Sequence, residues 1–526
     1  MQPQELSEHH NGHPRRWAIL GVLVISLLVV VLDNTILNVA LRTIADPEHG
    51  LGATQGQLEW GINSYTLVFA GLLFTFGILG DRLGRKRFLL VGLVLFGLSS
   101  LASAYAQNPG QLIAARALMG LGGAAIMPVT LSIISNVFHP RDRARAIGIW
   151  SGAVGLGVAI GPILGGLLLR NFWWGSVFLI NVPVVAIGVI AVALLVPESK
   201  DPKPNKIDII GVLLSVIGLV GLTYGIIDGG EHGFDQPLVW VSIVGGLAVL
   251  AAFVAYERRI AFPSLDVRLF RLPRFAAPVG VVGLVFFAAM GVFFFGSFYL
   301  QLVRGYSPLR TGVSLLPFAI GQLVFAPRSA ALVKRYGAKA VSAVGLLLTA
   351  AALAAFIFIG AETPIWVVAL AFFVQGAGMA NIMPPAMESI MSSLPRERAG
   401  VASAVSNTVR QVGGALGIAV LGSVLAGVYR GEIEPATRAL PGPLRDAANE
   451  SISGAYGVAE RLGAAGPHLM SAANDAFMVA MHWAAGLSTL IAALGVLVVL
   501  RWMPGRTAPA QLEPEPVGEP ELASAS

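Results

Sequence analysis

The sequence predicts an all-α integral membrane protein with fourteen transmembrane helices, built as two pseudo-symmetric six-helix bundles with two further helices inserted between them. Three observations carry this prediction. Of the 526 residues, 55% are hydrophobic and 12% charged, and a mean hydropathy of +0.75 leaves too little polar surface for a soluble globule. Fourteen apolar runs are each long enough to cross about 30 Å of hydrocarbon at about 1.5 Å per residue. A set of short motifs then returns after roughly 255 residues, the mark of an internal repeat.

The tail 1–16 has no cleavable signal pattern, so the first span stays in place as an anchor. The apolar runs follow near 17–38, 58–80, 88–106, 111–137, 146–169, 175–196, 209–227, 238–256, 275–301, 311–332, 340–360, 365–391, 400–428 and 477–502. Residues 17–196 form the first bundle, 197–274 a linker with the two inserted helices, and 275–502 the second bundle. Residues 429–476, rich in Ala, Gly, Pro and charge, are expected outside, as a short amphipathic helix or hairpin over the exit. The Pro- and Glu-rich stretch 503–526 is expected to be a disordered cytoplasmic tail.

Orientation follows from the cations. Gly77 to Arg87 sets Asp81, Arg82, Arg85, Lys86 and Arg87 among Gly77, Gly80 and Gly84 between two apolar spans, a short charged hinge that belongs on the cytoplasmic side. With both termini cytoplasmic, the inner loops and tails hold 24 of the 35 Lys and Arg, which fixes the direction. The net charge of +6 is thereby explained by topology, and nucleic acid is not expected as a partner.

The repeat is legible by eye. Gly120-Leu-Gly122-Gly-Ala-Ala-Ile126-Met127-Pro128 returns as Gly376-Ala-Gly378-Met-Ala-Asn-Ile382-Met383-Pro384, and the loop at Pro140 returns at Pro395. The hinge has a worn copy at Lys334–Lys339. Parallel repeats about an axis along the membrane normal are a transporter arrangement, with the substrate site at their interface.

These residues carry a resemblance. The hinge is similar to the loop signature of the major facilitator superfamily. Arg116 with Gly120 and Gly122 resembles its fourth-span motif, and Gly157, Gly161, Pro162 and Gly165 resemble the fifth-span motif of its exporters. Leu32-Asp33-Asn34-Thr35-Ile36 with Asn38-Val39-Ala40 resembles the first-span motif of the fourteen-helix drug/proton antiporter branch, the multidrug efflux type. The resemblance covers about 17–428 and the last span. It implies export of amphipathic drugs or secondary metabolites by alternating access, driven by protons without a cofactor, from a monomer in a bacterial cytoplasmic membrane. A dedicated exporter of one metabolite or antibiotic is the alternative, and a channel-like carrier a more distant one.

Depth arithmetic brings the polar residues to one level. Asp33 stands about 24 Å above the inner end of its span, while Asn63 and Arg116 each stand about 7–8 Å below the outer ends of theirs. A lone intramembrane carboxylate faces a cavity or a partner, so Asp33 is the expected coupling group, with Arg116 opposing the cost of its burial. A static ion pair that orients helices is the competing reading. Glu388, near the inner end of span twelve, is expected either to relay protons or to pair with loop cations.

Expected substrate contacts are Asn34 and Asn38 in span one, Asn63 in span two, Phe294, Phe298 and Tyr299 in span nine, and Asn407, Arg410 and Gln411 near the midplane of span thirteen. Many members of the resembled family carry acids at positions similar to Asn63, Asn407 and Gln411. Three neutral amides there disfavour multivalent cations. The glycine row Gly157, Gly161 and Gly165 lies on one helical face for close helix packing, and Pro162 should kink or loosen the span. Asp81, with Gly77, Gly80, Arg82, Gly84 and Arg85, is expected to latch the cytoplasmic side by pairing with the other half when that side closes.

Enzyme chemistry has no foothold. There is no HExxH, no phosphate-binding Gly-rich loop ending in Lys-Ser/Thr, and no cysteine for a thiol nucleophile, disulfide or metal set.

Overall fold

Local side chains set where the helices begin and stop. The computed structural model describes residues 13–200, 208–260, 263, 265–393 and 399–503. Most of the N-terminal tail, part of the linker, the repeat partner at Pro395 and the tail beyond 503 lie outside the described residues, with the expectations placed on them.

α1 (Arg16–Ala45) is followed by α2 (Gln55–Leu83), opened by a capping box in which Thr54 Oγ1 accepts from Gln57 N and Gln57 Oε1 accepts from Thr54 N, both at 3.1 Å. Gly84, at φ 115°, then turns the chain directly into α3 (Arg85–Ala104), a backbone angle that suits glycine. Asn108 caps α4 (Pro109–Val137), and α5 (Pro140–Asn171) follows. α6 is Ser176–Leu179 continued by Asn181–Leu195. The inserted pair is α7 (Ile209–His232) and α8 (Pro237–Glu257). α9 (Pro273–Phe298) ends in a π-turn, Tyr299–Val303. α10 (Pro308–Tyr336) meets α11 (Ala338–Ala355) at Gly337, φ 85°, the counterpart of Gly84. α12 is Ile365–Ala380 continued by Met383–Ser392, then come α13 (Ala399–Thr437) and α14 (Gly466–Trp502).

Among the described residues twelve helices are long and apolar enough to cross a membrane, or thirteen with α2, which bends by 57° between Leu73 and Thr75. The predicted fourteen is not reached. α5, several of whose side chains lie outside the described residues, is not in that count.

Helix pairing repeats after eight helices. α1 packs on α5 and α6, α2 on α4, and α3 on α4 and α6; correspondingly α9 packs on α13 and α14, α10 on α12, and α11 on α12 and α14. Two symmetric seams, α2 with α13 and α5 with α10, join the halves. α7 lies along the first seam against both α2 and α13, and α8 packs mainly on α7.

The end of the bundle opposite Gly84, called here the far end, is shut. Arg42 Nη1 donates to Gln301 O at 2.9 Å, Gln301 Nε2 to Val39 O at 2.9 Å, and Gln55 Nε2 to Gly422 O at 3.0 Å. On the other seam the backbones touch. A Cβ added at Gly166 would fall 2.4 Å from Leu309 Cα, and one at Gly312 2.2 Å from Pro162 O.

The segment expected over the exit is shorter than 429–476, because α13 runs on to Thr437 and α14 begins at Gly466. Two short helices, Gly442–Glu450 and Ile452–Arg461, remain. They cap the far end: Tyr429 Oη donates to Ala448 O at 3.2 Å and Tyr456 Oη to Leu302 O at 3.1 Å. α5 runs on as one helix through Pro162.

Candidate functional site

Asp33 and Arg116 meet, as their depths suggest, and the meeting is wholly buried: Asp33 is 2% exposed and Arg116 0%. Arg116 Nη1 donates to Asp33 Oδ2, and Arg116 Nε donates to Gly61 O at 2.9 Å, which ties α4 to both α1 and α2. The guanidinium lies 4.5 Å from the Tyr65 ring centroid and 5.9 Å from that of Phe178, a cation between two aromatic faces. Arg116 Nη2 has no hydrogen-bond partner.

The sequence reading missed the other side of Asp33. Asn181 Nδ2, at the break in α6, donates to Asp33 Oδ1 at 3.2 Å and to Ser100 Oγ at 3.1 Å, and Ser100 Oγ donates to Phe178 O at 2.8 Å. Two helices, α4 and α6, therefore reach the α1 carboxylate directly, and α2 and α3 join the network one bond further out, through Gly61 O and Ser100. Only the asparagine just before Pro183 in an otherwise apolar span hinted at it. A carboxylate held by a guanidinium and an amide can be ionised inside a membrane, and a proton on it would weaken both contacts at once.

The glycine row of α5 lies against α1 beside this group. A Cβ at Gly157 would press on Val31, at Gly161 on Thr35 and at Gly165 on Ile36, all within 3.0 Å, and Thr35 Oγ1 donates to Gly157 O at 3.4 Å. α5 thus grips the turns of α1 that carry Asp33, then meets α10 one residue later at Gly166. One stretch of α5 therefore contacts both the Asp33 turns and the seam.

The predicted substrate contacts do not form one cluster in this conformation. Asn34 Nδ2 donates back to Val30 O at 2.8 Å and Asn38 Nδ2 to Asn34 O at 3.1 Å, both half-buried on α1. Asn63 is fully buried, and neither of its amide atoms has a partner. Asn407, Arg410 and Gln411 are half-buried on α13; Arg410 Nη2 donates to Asn407 Oδ1 at 3.2 Å, its guanidinium lies 5.4 Å from the Phe286 ring, and its Nε has no partner. Phe294, Phe298 and Tyr299 are packed inside, with Tyr299 Oη donating to Gly360 O at 3.0 Å.

At the hinge, Gly77 and Gly80 admit Pro128 and Val129 of α4. Arg85 Nε donates to Asp81 Oδ1 at 2.7 Å, so the acid is paired inside its own loop. The loop is also tied to the end of α6, a connection absent from the sequence reading: Arg85 N donates to Ser199 O at 2.9 Å, Lys86 N to Glu198 Oε1 at 3.1 Å, and Arg87 lies 3.6 Å from Glu198 Oε2. Arg82 is exposed, as is Glu388 on the second segment of α12; the loop cations at 396 and 398 lie outside the described residues.

Residues 23–418 match the Major Facilitator Superfamily. Multidrug efflux pump LfrA of Mycolicibacterium smegmatis is 35% identical over 465 residues, covering 88% of this chain and 91% of the relative. The tetracenomycin C resistance and export protein of Streptomyces glaucescens is 33% identical over 509 residues, covering 94% of each. Among solved structures, a bacterial homolog of the human lysosomal transporter Spinster overlays with a TM-score of 0.67 at 19% identity, over 94% of this chain and 99% of the other.

Proposed function

The chain belongs to the Major Facilitator Superfamily, and from that premise we propose that it expels amphipathic drugs or secondary metabolites by proton-coupled alternating access. One observation carries the coupling: the buried Asp33 network, gripped by the same glycine row that leads into the α5–α10 seam.

The cycle runs as follows. With the hinge end in the cytoplasm, the described conformation is shut toward the outside and receives substrate from within. Asp33 carries a proton as the carrier turns inward and releases it to the cytoplasm as substrate enters, which makes the bond to Arg116 present in the described conformation; the loaded carrier then opens outward. A proton taken up from outside then resets it. Arg410, a membrane-buried cation with an unused donor and an aromatic neighbour, contacts the substrate on the opposite wall and suits an ester, carbonyl or phenolic oxygen. Asp81 exchanges Arg85 for a partner across the hinge end when that end closes. The protein works as a monomer in the bacterial cytoplasmic membrane.

Reconstitution tests this. In proteoliposomes bearing a pH gradient, wild-type protein should accumulate rhodamine 6G, an amphipathic monocation, and Asp33→Asn should bind the dye yet fail to accumulate it. Equal gradient-driven accumulation by the variant refutes the coupling role.

A further inference from the structure

Glu59 is a buried carboxyl that the Asp33 network does not use. It sits one turn into α2, 2% exposed, with Gln55 Nε2 at 3.4 Å from Oε1 and no hydrogen-bond partner for Oε2. Its other wall belongs to the second half: a Cβ at Gly422 of α13 would fall 2.0 Å from Glu59 Oε1, and Gln55 bridges to the Gly422 carbonyl. The carboxyl is therefore sealed inside the seam that shuts the far end.

The charged groups around it do not neutralise it. From α7, Glu231 Oε1 accepts from Gly56 N at 3.1 Å, and Asp228 pairs with His232 at 2.9 Å. From α13, Arg430 Nη2 donates to Gly230 O at 3.2 Å, and Glu450 of the first short helix lies near Glu231, His232 and Arg430. The charge that acts on Glu59 is Glu231, also negative, and no cation pairs with Glu59 among the described residues. An ionised, unpaired carboxylate in this setting carries a desolvation penalty far beyond that of the neutral acid.

We propose that Glu59 is a second proton-binding site, a gate rather than a carrier: it holds a proton while α2 and α13 are closed at the far end and yields it to water as they part. The O–H bond breaks to a water molecule admitted by the opening, and the proton returns to the side it came from. Acid on the far side thus favours re-closure, the resetting step of the cycle proposed above, on which this inference rests.

The absence of cysteine makes the test clean. A His49→Cys, Glu432→Cys variant, both positions exposed at the far end on opposite halves, carries spin labels whose separation is read by pulsed electron resonance from pH 5 to 9. The measurement is made in an Asp33→Asn background, which removes the transport carboxylate. The closed distance should dominate in acid and give way to a longer one as pH rises. Glu59→Gln should hold the closed distance throughout, and Glu231→Gln should move the transition to lower pH by removing the repelling charge. A distance that ignores pH, or follows the same curve in Glu59→Gln, overturns the proposal. Absence of gradient-driven transport in the wild type, with the gate response intact, would instead overturn the transport reading alone.

Discussion

The two halves share one helix pairing and fill equivalent places with opposite chemistry. Gly120 in α4 lies against the Tyr65 backbone, where an added Cβ would fall 2.6 Å from its carbonyl oxygen; Gly376 in α12 meets Phe318 in the same way, at 2.0 Å. With those pairs as anchors, Tyr65 corresponds to Phe318 and, one turn before each glycine, Arg116 corresponds to Phe372. The first half places a cation on an aromatic ring and ties it to Asp33. The second half stacks rings: Phe293 lies 4.7 Å from Phe318 and 6.2 Å from Phe372, and Phe372 lies 5.3 Å from Phe356. An aromatic cluster has no state to change with a proton, whereas an ion pair in hydrocarbon does. In the proposed cycle the first half switches, and the second is the wall against which it moves.

Arg116→Met breaks that asymmetry most severely, because it leaves Asp33 buried without its cation. A loss of about 3–5 kcal/mol is expected for an ion left unpaired, seen as a large fall in melting temperature in detergent together with loss of transport. Phe372→Leu, at the matching place, should cost about 1–3 kcal/mol through imperfect packing while gradient-driven dye uptake persists. Equal transport defects in the two variants would erase the distinction between switch and wall.

Gly166→Val tests whether the seam must close. The added side chain meets Leu309 backbone atoms that cannot move aside, so far-end spin-label distances should lengthen and transport should fall at least about tenfold, equivalent to about 1.4 kcal/mol. Asn181→Leu acts more gently, removing one amide hydrogen bond to Asp33 at a cost of about 1 kcal/mol. It should shift the pH dependence of transport with little effect on folding; an unchanged pH profile would assign Asn181 to packing alone.

The smallest effect lies outside the membrane spans. Burial, and then Glu231, push the Glu450 carboxyl above its ordinary value. Such a group stabilises the fold in acid and withdraws that stability as pH rises through its folded value. Glu450→Gln should therefore melt slightly higher than wild type at pH 7 and equally at pH 4.

Much of this was legible beforehand because membrane spans obey a length rule and a repeat doubles every clue. Asp33 and Arg116 could be matched from depth alone, since each is a single charge in an apolar run. Asn181 and Ser100 could not: neutral polar residues are common in such runs, and the break that aims Asn181 inward appears only in three dimensions. Glu59 is the second residue of the apolar run 58–80, next to the polar Gln55 and Gln57, so it reads as the edge of a span until α13 and α7 cover it. The tie from Glu198 to the hinge joins residues more than a hundred positions apart, with no motif to announce it. α1, α13 and α14 extend beyond the apolar runs 17–38, 400–428 and 477–502, because hydropathy marks the apolar stretch and not the end of the helix. The double proline Pro384-Pro385 splits α12, while its single counterpart Pro128 leaves α4 whole.

The central claim, that a proton on Asp33 is exchanged for substrate, is tested most directly by proton release. Rhodamine 6G added to purified protein in weakly buffered detergent, with a pH-sensitive dye as reporter, should liberate protons from the wild type in proportion to site occupancy. Asp33→Asn should bind the substrate and release none. Undiminished release from Asp33→Asn would contradict the account and move the coupling proton elsewhere in the molecule.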